Sequence, residues 1–188
     1  MSRFVHKLWK HNILEDQPIH VGMDFNVRHM AGIVLAYFGN VLCAVDEFTD
    51  YMDTPDICNA INEQYKNGIR KIIAYPDAAG KSTHSTNASE SDHAIIARHK
   101  MILRVNPSNP SVKDRVSAVN NAFEKGLLLV DTQACPVLTE ALEQQVYDKN
   151  GRPDKSTGAD HPLDALGYPV VYLHPVKHNR ISLVKVAS

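Results

Sequence analysis

Between Pro18 and Val27 the chain alternates, with Ile19, Val21, Met23 and Phe25 apolar at every second position. That is the period of a pleated strand. Two further strand-like runs follow, at about 30–38 and 40–48, with Phe38-Gly39-Asn40 between them as a hairpin turn. The pattern then changes period. In TPDICNAINEQYKNG, Ile57, Ile61 and Tyr65 recur at helical spacing; Thr54 is the expected N-cap, Pro55 fits the first turn and Asn67-Gly68 ends the helix. IRKIIAYPD is a fourth strand, AIIARHK a short helix and MILRV a short strand, with a turn at 106–110. SVKDRVSAVNNAFEKG predicts an amphipathic helix capped by Ser111, stopped at Gly126, and apolar along Val112, Val116, Val119 and Phe123. LLLVD is a buried strand, CPVLTEALEQQVY a helix, and HPLDALGYPVVYL the last helix. The order is three strands, helix, strand, helix, strand, helix, strand, helix, helix. It predicts an α/β fold whose mixed central sheet carries helices on both faces.

The polar stretches divide the chain. Residues 1–17 read as a leader or linker and 18–188 as one domain. AAGKSTHSTNASESDH, with no apolar residue larger than alanine, reads as a surface loop. YDKNGRPDKSTGAD reads as a hairpin or loop just before the last helix.

Composition narrows the class. At 44% hydrophobic the chain can build a core, and its apolar runs are too short to span a bilayer, so no membrane partner is expected. No secretory signal pattern stands at the N-terminus. Cys43, Cys58 and Cys135 are far apart in sequence and read as buried thiols in a reducing compartment. The net charge of −1 means that any nucleic acid must be held by a local patch or through metal.

Three carboxylates stand where chemistry would put them. Asp24 interrupts the first strand, where an unpaired charge is costly. It either pairs with Arg28 or ligates a divalent cation. A central strand ending in Asp, followed by an antiparallel meander, is how ribonuclease H-like nucleases begin. Asp77 follows Pro76 at the carboxyl end of the fourth strand, as a turn residue or a second ligand. Asp164 opens the last long helix, with His161 and Asp160 one turn earlier on the same face. Asp160 doubles as a candidate N-cap. Glu47 on the third strand is a possible additional carboxylate. Several acids and one histidine suit Mg²⁺ or Mn²⁺. Two such ions about 3.5–4 Å apart would activate water and stabilise the leaving oxygen of a phosphodiester.

Together VGMDFNV, YPDAAGKSTHSTNASESDH, VKDRVSAVNNAF and ADHPLDALGY resemble the C-terminal nuclease domain of large terminase subunits, the DNA-packaging motors of tailed bacteriophages and herpesviruses. The resemblance covers residues 18–175. It implies a ribonuclease H-like fold and a metal-dependent endonuclease that cuts concatemeric double-stranded DNA at the start and end of packaging. It also implies metal ligation by Asp24, Asp77 and Asp164, assisted by His161. Where some members have two adjacent acids, this chain has Asp160-His161. Portal protein, small terminase subunit and the ATPase domain of the motor are the implied partners, in the cytoplasm of an infected host cell. Gly80-Lys81-Ser82 ends like a phosphate-cradling G-x-x-x-x-G-K-S/T loop, but Tyr75 stands where its first glycine belongs. The chain is therefore expected to be a nuclease domain or a free-standing relative that does not translocate DNA.

Lys81, Arg115, Lys149, Arg152 and Lys155 are candidate phosphate contacts, and Lys149, Arg152 and Lys155 form the best cluster. Contacts of that kind position DNA without reading its sequence. The rival readings are another ribonuclease H-like nuclease, such as a junction resolvase, and a non-catalytic module that docks on DNA or portal.

Overall fold

A computed structural model of the chain describes residues 17–25, 29–65, 70–78, 90–144 and 160–176. The expected leader, apart from Gln17, lies outside them, as do the serine-rich stretch 79–89 and residues 145–159. A six-stranded mixed sheet forms the middle layer. Its strands are β1 (Ile19–Asp24), β2 (Met30–Phe38), β3 (Val41–Tyr51), β4 (Ile72–Pro76), β5 (Ile102–Leu103) and β6 (Leu128–Val130). In space they run β5-β4-β1-β2-β3-β6. β1, β2 and β3 form the antiparallel meander, turned at Gly39, whose φ of 61° suits glycine. β4 lies parallel to β1, β5 parallel to β4, and β6 parallel to β3. The expected mixed α/β sheet is present.

Helices cover both faces, because the buried strands alternate between two cores. Ile19, Val21 and Met23 of β1 join one core, packed with Ile57, Cys58, Ile61 and Tyr65 of α1 (Thr54–Tyr65) and Ile96 of α2 (Asp92–Arg98). The intervening residues of β1 face the other layer, made by α3 (Val112–Glu124), α4 (Pro136–Glu143) and α5 (Asp160–Leu173). Ala31, Ile33 and Leu35 of β2 meet Ala118, Leu138, Ala165 and Leu166 there. All three cysteines are buried and free. Among the described residues no helix is long and apolar enough to cross a membrane.

One contact fixes the functional end of the molecule. A Cβ on Gly22 would stand 1.8 Å from the Ala165 carbonyl oxygen and 2.7 Å from Pro169 Cδ. α5 therefore lies directly on the β1 backbone. Pro169 has no N–H to return to the carbonyl four residues earlier. That carbonyl is the one turned onto Gly22.

Two local expectations give way to tertiary demands. Asp53 rather than Thr54 caps α1, accepting the Asp56 N–H at 2.9 Å, while the Thr54 hydroxyl donates to buried Asp92 at 2.6 Å. The inner face of α3 is Arg115, Ala118, Val119 and Ala122, so of the expected stripe Val112, Val116, Val119 and Phe123 only Val119 is buried, with Phe123 packed partly against the core. Ser111 caps it as expected, accepting the Asp114 N–H at 3.1 Å.

Candidate active site

Asp24 is the last residue of β1 and is 8% exposed. Its neighbour in the sheet is the end of β4, where the Asp77 N–H donates to the Met23 carbonyl at 3.1 Å. Asp24 and Asp77 thus close two adjacent parallel strands at their carboxyl ends. In open α/β sheets that is where sites gather, beside a switch in connection. The seating of α5 on Gly22 then brings the start of that helix to the same place.

His161 Nδ1 donates to Asp24 Oδ2 at 2.9 Å. The pairing with Arg28 considered from sequence involves a residue outside the described set. Asp160 Oδ1 stands 3.9 Å from the other ring nitrogen of His161. Asp77 is held from three sides. Asn109 Nδ2 donates to Oδ1 at 2.5 Å, the Tyr168 hydroxyl donates to Oδ2 at 3.3 Å, and His93 Nε2 donates to the Asp77 carbonyl at 2.8 Å. Asn109 also accepts the Ala78 N–H at 2.7 Å, so its orientation is set. Asp164 Oδ1 accepts from Arg115 at 2.7 Å.

Asp164 and Asp77 both act electrostatically on Asp24. Burial pushes the Asp24 carboxyl up to about 6, and repulsion from Asp164 and then Asp77 adds to it. The His161 hydrogen bond and charge work the other way. Three carboxylates set close enough to perturb one of them, with an imidazole beside them, are the oxygen-rich donor set that hard divalent cations take. In this structure each acid turns to a protein partner, and among the described residues no three His, Cys, Asp or Glu side chains already converge on one point. The donor chemistry fits Mg²⁺ or Mn²⁺; the side chains are held singly.

Two expected site residues take other roles than those the sequence suggests. Glu47 does not join the acids: its two oxygens accept the Val137 and Leu138 N–H groups at 2.7 and 2.8 Å, capping α4. That helix begins with Pro136 and has no capping side chain of its own, so a carboxylate from β3 supplies one. Arg115, read as a phosphate contact, is 6% exposed and turned inward. Lys81, Lys149, Arg152 and Lys155 lie outside the described residues.

Sequence reasoning missed His93, Asn109 and Tyr168 as supports of Asp77. Tyr168 was within reach, since it closes the D-A-L-x-Y ending one helical turn after Asp164. His93 and Asn109 carry no such signal, because only the folded chain brings them to Asp77.

The family model for the terminase RNase H-like domain matches residues 21–173. No curated protein matches the chain in sequence. Among solved structures, the large terminase of a thermophilic bacteriophage superposes with a TM-score of 0.63 at 18% identity, over 84% of this chain and 40% of that one. The nuclease domain of the P22 large terminase gives 0.61 at 18%, over 84% of this chain and 82% of that one. The nuclease domain of the bacteriophage SPP1 large terminase, with bound Mn, gives 0.54 at 19%, over 81% and 85%. The chain thus spans 40% of the thermophilic phage's large terminase and most of each isolated nuclease domain.

Proposed function

Since the chain belongs to the terminase RNase H-like domain family, we propose that it is the metal-dependent endonuclease part of a viral large terminase, cutting concatemeric double-stranded DNA with little sequence preference when packaging starts and ends. The observation that carries this reading is the placement of Asp24 and Asp77 at the carboxyl ends of β1 and β4 and of Asp164 near the start of α5, with both Asp164 and Asp77 acting on the raised Asp24 carboxyl, pushed up to about 6. Burial of the Asp24 carboxyl is the main cause and repulsion from Asp164 and Asp77 adds to it, and a bound cation relieves both costs.

Asp24, Asp77 and Asp164 would hold two Mg²⁺ or Mn²⁺ ions. When bound, such ions lower the pKa of water and offset the charge that builds on a phosphodiester as it is displaced. The chain's own residues do the rest. His161 holds the Asp24 carboxylate through its Nδ1–H. Asn109 and Tyr168 fix the two oxygens of Asp77. β1 and β4 keep the first two acids in register, and α5 delivers the third. The proposed partners are duplex DNA, the portal protein, the small terminase subunit and the ATPase domain of the motor, in the cytoplasm of the infected host.

The test is cleavage of supercoiled plasmid by the chain in Mg²⁺, Mn²⁺ or EDTA, for the parent and Asp24→Asn. We expect nicking and linearisation with metal only, and none from a variant that melts as a folded protein. Cleavage that survives in EDTA, or in the folded variant, would overturn the reading. Four-way junctions cut in strong preference to linear duplex would turn it toward a junction resolvase.

A further inference from the structure

Arg115 is a charged side chain that the sequence marks for solvent and the structure buries. Its stem lies across Gly167 of α5, where a Cβ would stand 3.1 Å from both Arg115 Cβ and Arg115 Cδ. A side chain at Gly167 would crowd the arginine stem, which would have to shift by a few tenths of an ångström. At its far end the guanidinium makes three contacts. One terminal nitrogen donates to Asp164 Oδ1 at 2.7 Å and the other to the Pro110 carbonyl at 2.8 Å. The plane stands over the Tyr168 ring, with Cζ 4.9 Å from its centroid, inside cation–π range. Tyr168 in turn donates its hydroxyl to Asp77 Oδ2. Arg115 Nε is buried with no hydrogen-bond partner. The fold therefore leaves one donor of this arginine unsatisfied while the guanidinium holds its other contacts.

We propose that Arg115 is a positioning residue of this nuclease site: it holds one oxygen of Asp164 directly and braces, through the Tyr168 ring, the hydroxyl that holds Asp77, so that two of the three carboxylates meet a divalent cation in fixed orientations. The inference rests on the nuclease reading above. A carboxylate that gives one oxygen to a guanidinium keeps a second for a cation. Hydrogen-bonded supports of ligating carboxylates set metal affinity, and their loss typically costs about 10–100-fold. Geometry rather than charge is the operative property. Lysine has no planar fork with which to bond Asp164 and Pro110 together while standing over the Tyr168 ring.

The test is Mn²⁺ binding to the chain, followed by calorimetry, with melting temperature measured alongside. The proteins are the parent, Asp24→Asn, Arg115→Lys, Arg115→Met and Tyr168→Phe. Asp24→Asn reports on the nuclease reading alone: if it binds Mn²⁺ like the parent, that reading fails. Given its loss, we expect Arg115→Met and Arg115→Lys both to bind Mn²⁺ about 10–100-fold more weakly. Tyr168→Phe keeps the ring under the guanidinium and removes only the Asp77 contact, so it should bind less tightly than the parent but better than either arginine variant. Parental affinity in Arg115→Lys would show that charge suffices and overturn the proposal. Parental affinity in Arg115→Met would overturn it outright. If the arginine variants do not fold, Tyr168→Phe decides, and parental affinity there counts against the brace.

Discussion

Asp24 is the residue on which the site's energetics turn. Its carboxyl is pushed up to about 6 from an ordinary value near 3.8, chiefly by burial and secondarily by Asp164 and Asp77. A group that binds its proton more tightly when folded favours the folded state at low pH and loses that advantage as pH rises through the folded value. Without metal, the folded protein should therefore lose stability between about pH 4 and pH 6.5, by at most about 3 kcal/mol from this residue. A divalent cation replaces the proton as the compensating charge. The rise in melting temperature caused by Mn²⁺ should thus be small at pH 5 and large at pH 7.5, measured by differential scanning calorimetry with and without EDTA. Asp24→Asn should melt above the metal-free parent at pH 7.5 and respond little to Mn²⁺. A metal response equal at both pH values would show that no proton is displaced at the site.

At the scale of elements, the seat of α5 on β1 decides whether the acids meet at all. Gly22 is the point of closest approach, and Gly22→Ala would drive a methyl group into the Ala165 carbonyl at 1.8 Å. Backbone cannot yield there as a flexible side-chain end would, so overpacking should exceed the usual range of about 1–3 kcal/mol. Urea unfolding should show that loss, and Mn²⁺ affinity should fall with it as α5 carries Asp164 and His161 away from Asp24. A variant as stable as the parent would mean that the helix is not seated on this strand. Elements are also the part of the structure most legible in the sequence. Among the described residues, six strands and five helices come in the expected order, because alternating and helical periods survive in the pattern. The misses share one cause. Val112 and Val116 of α3 suggest one phase, but the helix packs inward through Val119, alanines and an arginine whose charge is compensated by Asp164, which a hydrophobicity count scores as outward-facing. Glu47 resembles a site acid because a carboxylate on a strand is conspicuous. Its true use, capping α4 from a distant part of the chain, leaves no trace in local sequence. The three candidate acids are legible for the opposite reason, since each interrupts or ends an apolar element at a place where packing alone does not ask for charge.

The whole molecule carries a net charge of −1, and its candidate site is a cluster of carboxylates, so DNA gains nothing from the protein's overall field. Attraction has to come from local cations and from metal. Arg115 is turned inward on Asp164 and is no part of that surface. The remaining candidates are Lys81 and the cluster Lys149, Arg152 and Lys155, which comes shortly before α5 in the chain. Each phosphate neutralised by such a residue releases counterions and steepens the fall of affinity with salt by about 0.9 in the log–log slope. Replacing Lys149, Arg152 and Lys155 together with alanine should therefore weaken duplex binding in Ca²⁺ and flatten that slope by up to about 3. The loss should be the same for unrelated DNA sequences, because phosphate contacts carry no base information. Mn²⁺ affinity should stay at the parental value, since none of the three is a proposed ligand. A slope unchanged by the triple variant would mean that other residues carry the phosphate contacts. A loss confined to certain sequences would mean that the cluster reads base edges rather than phosphates.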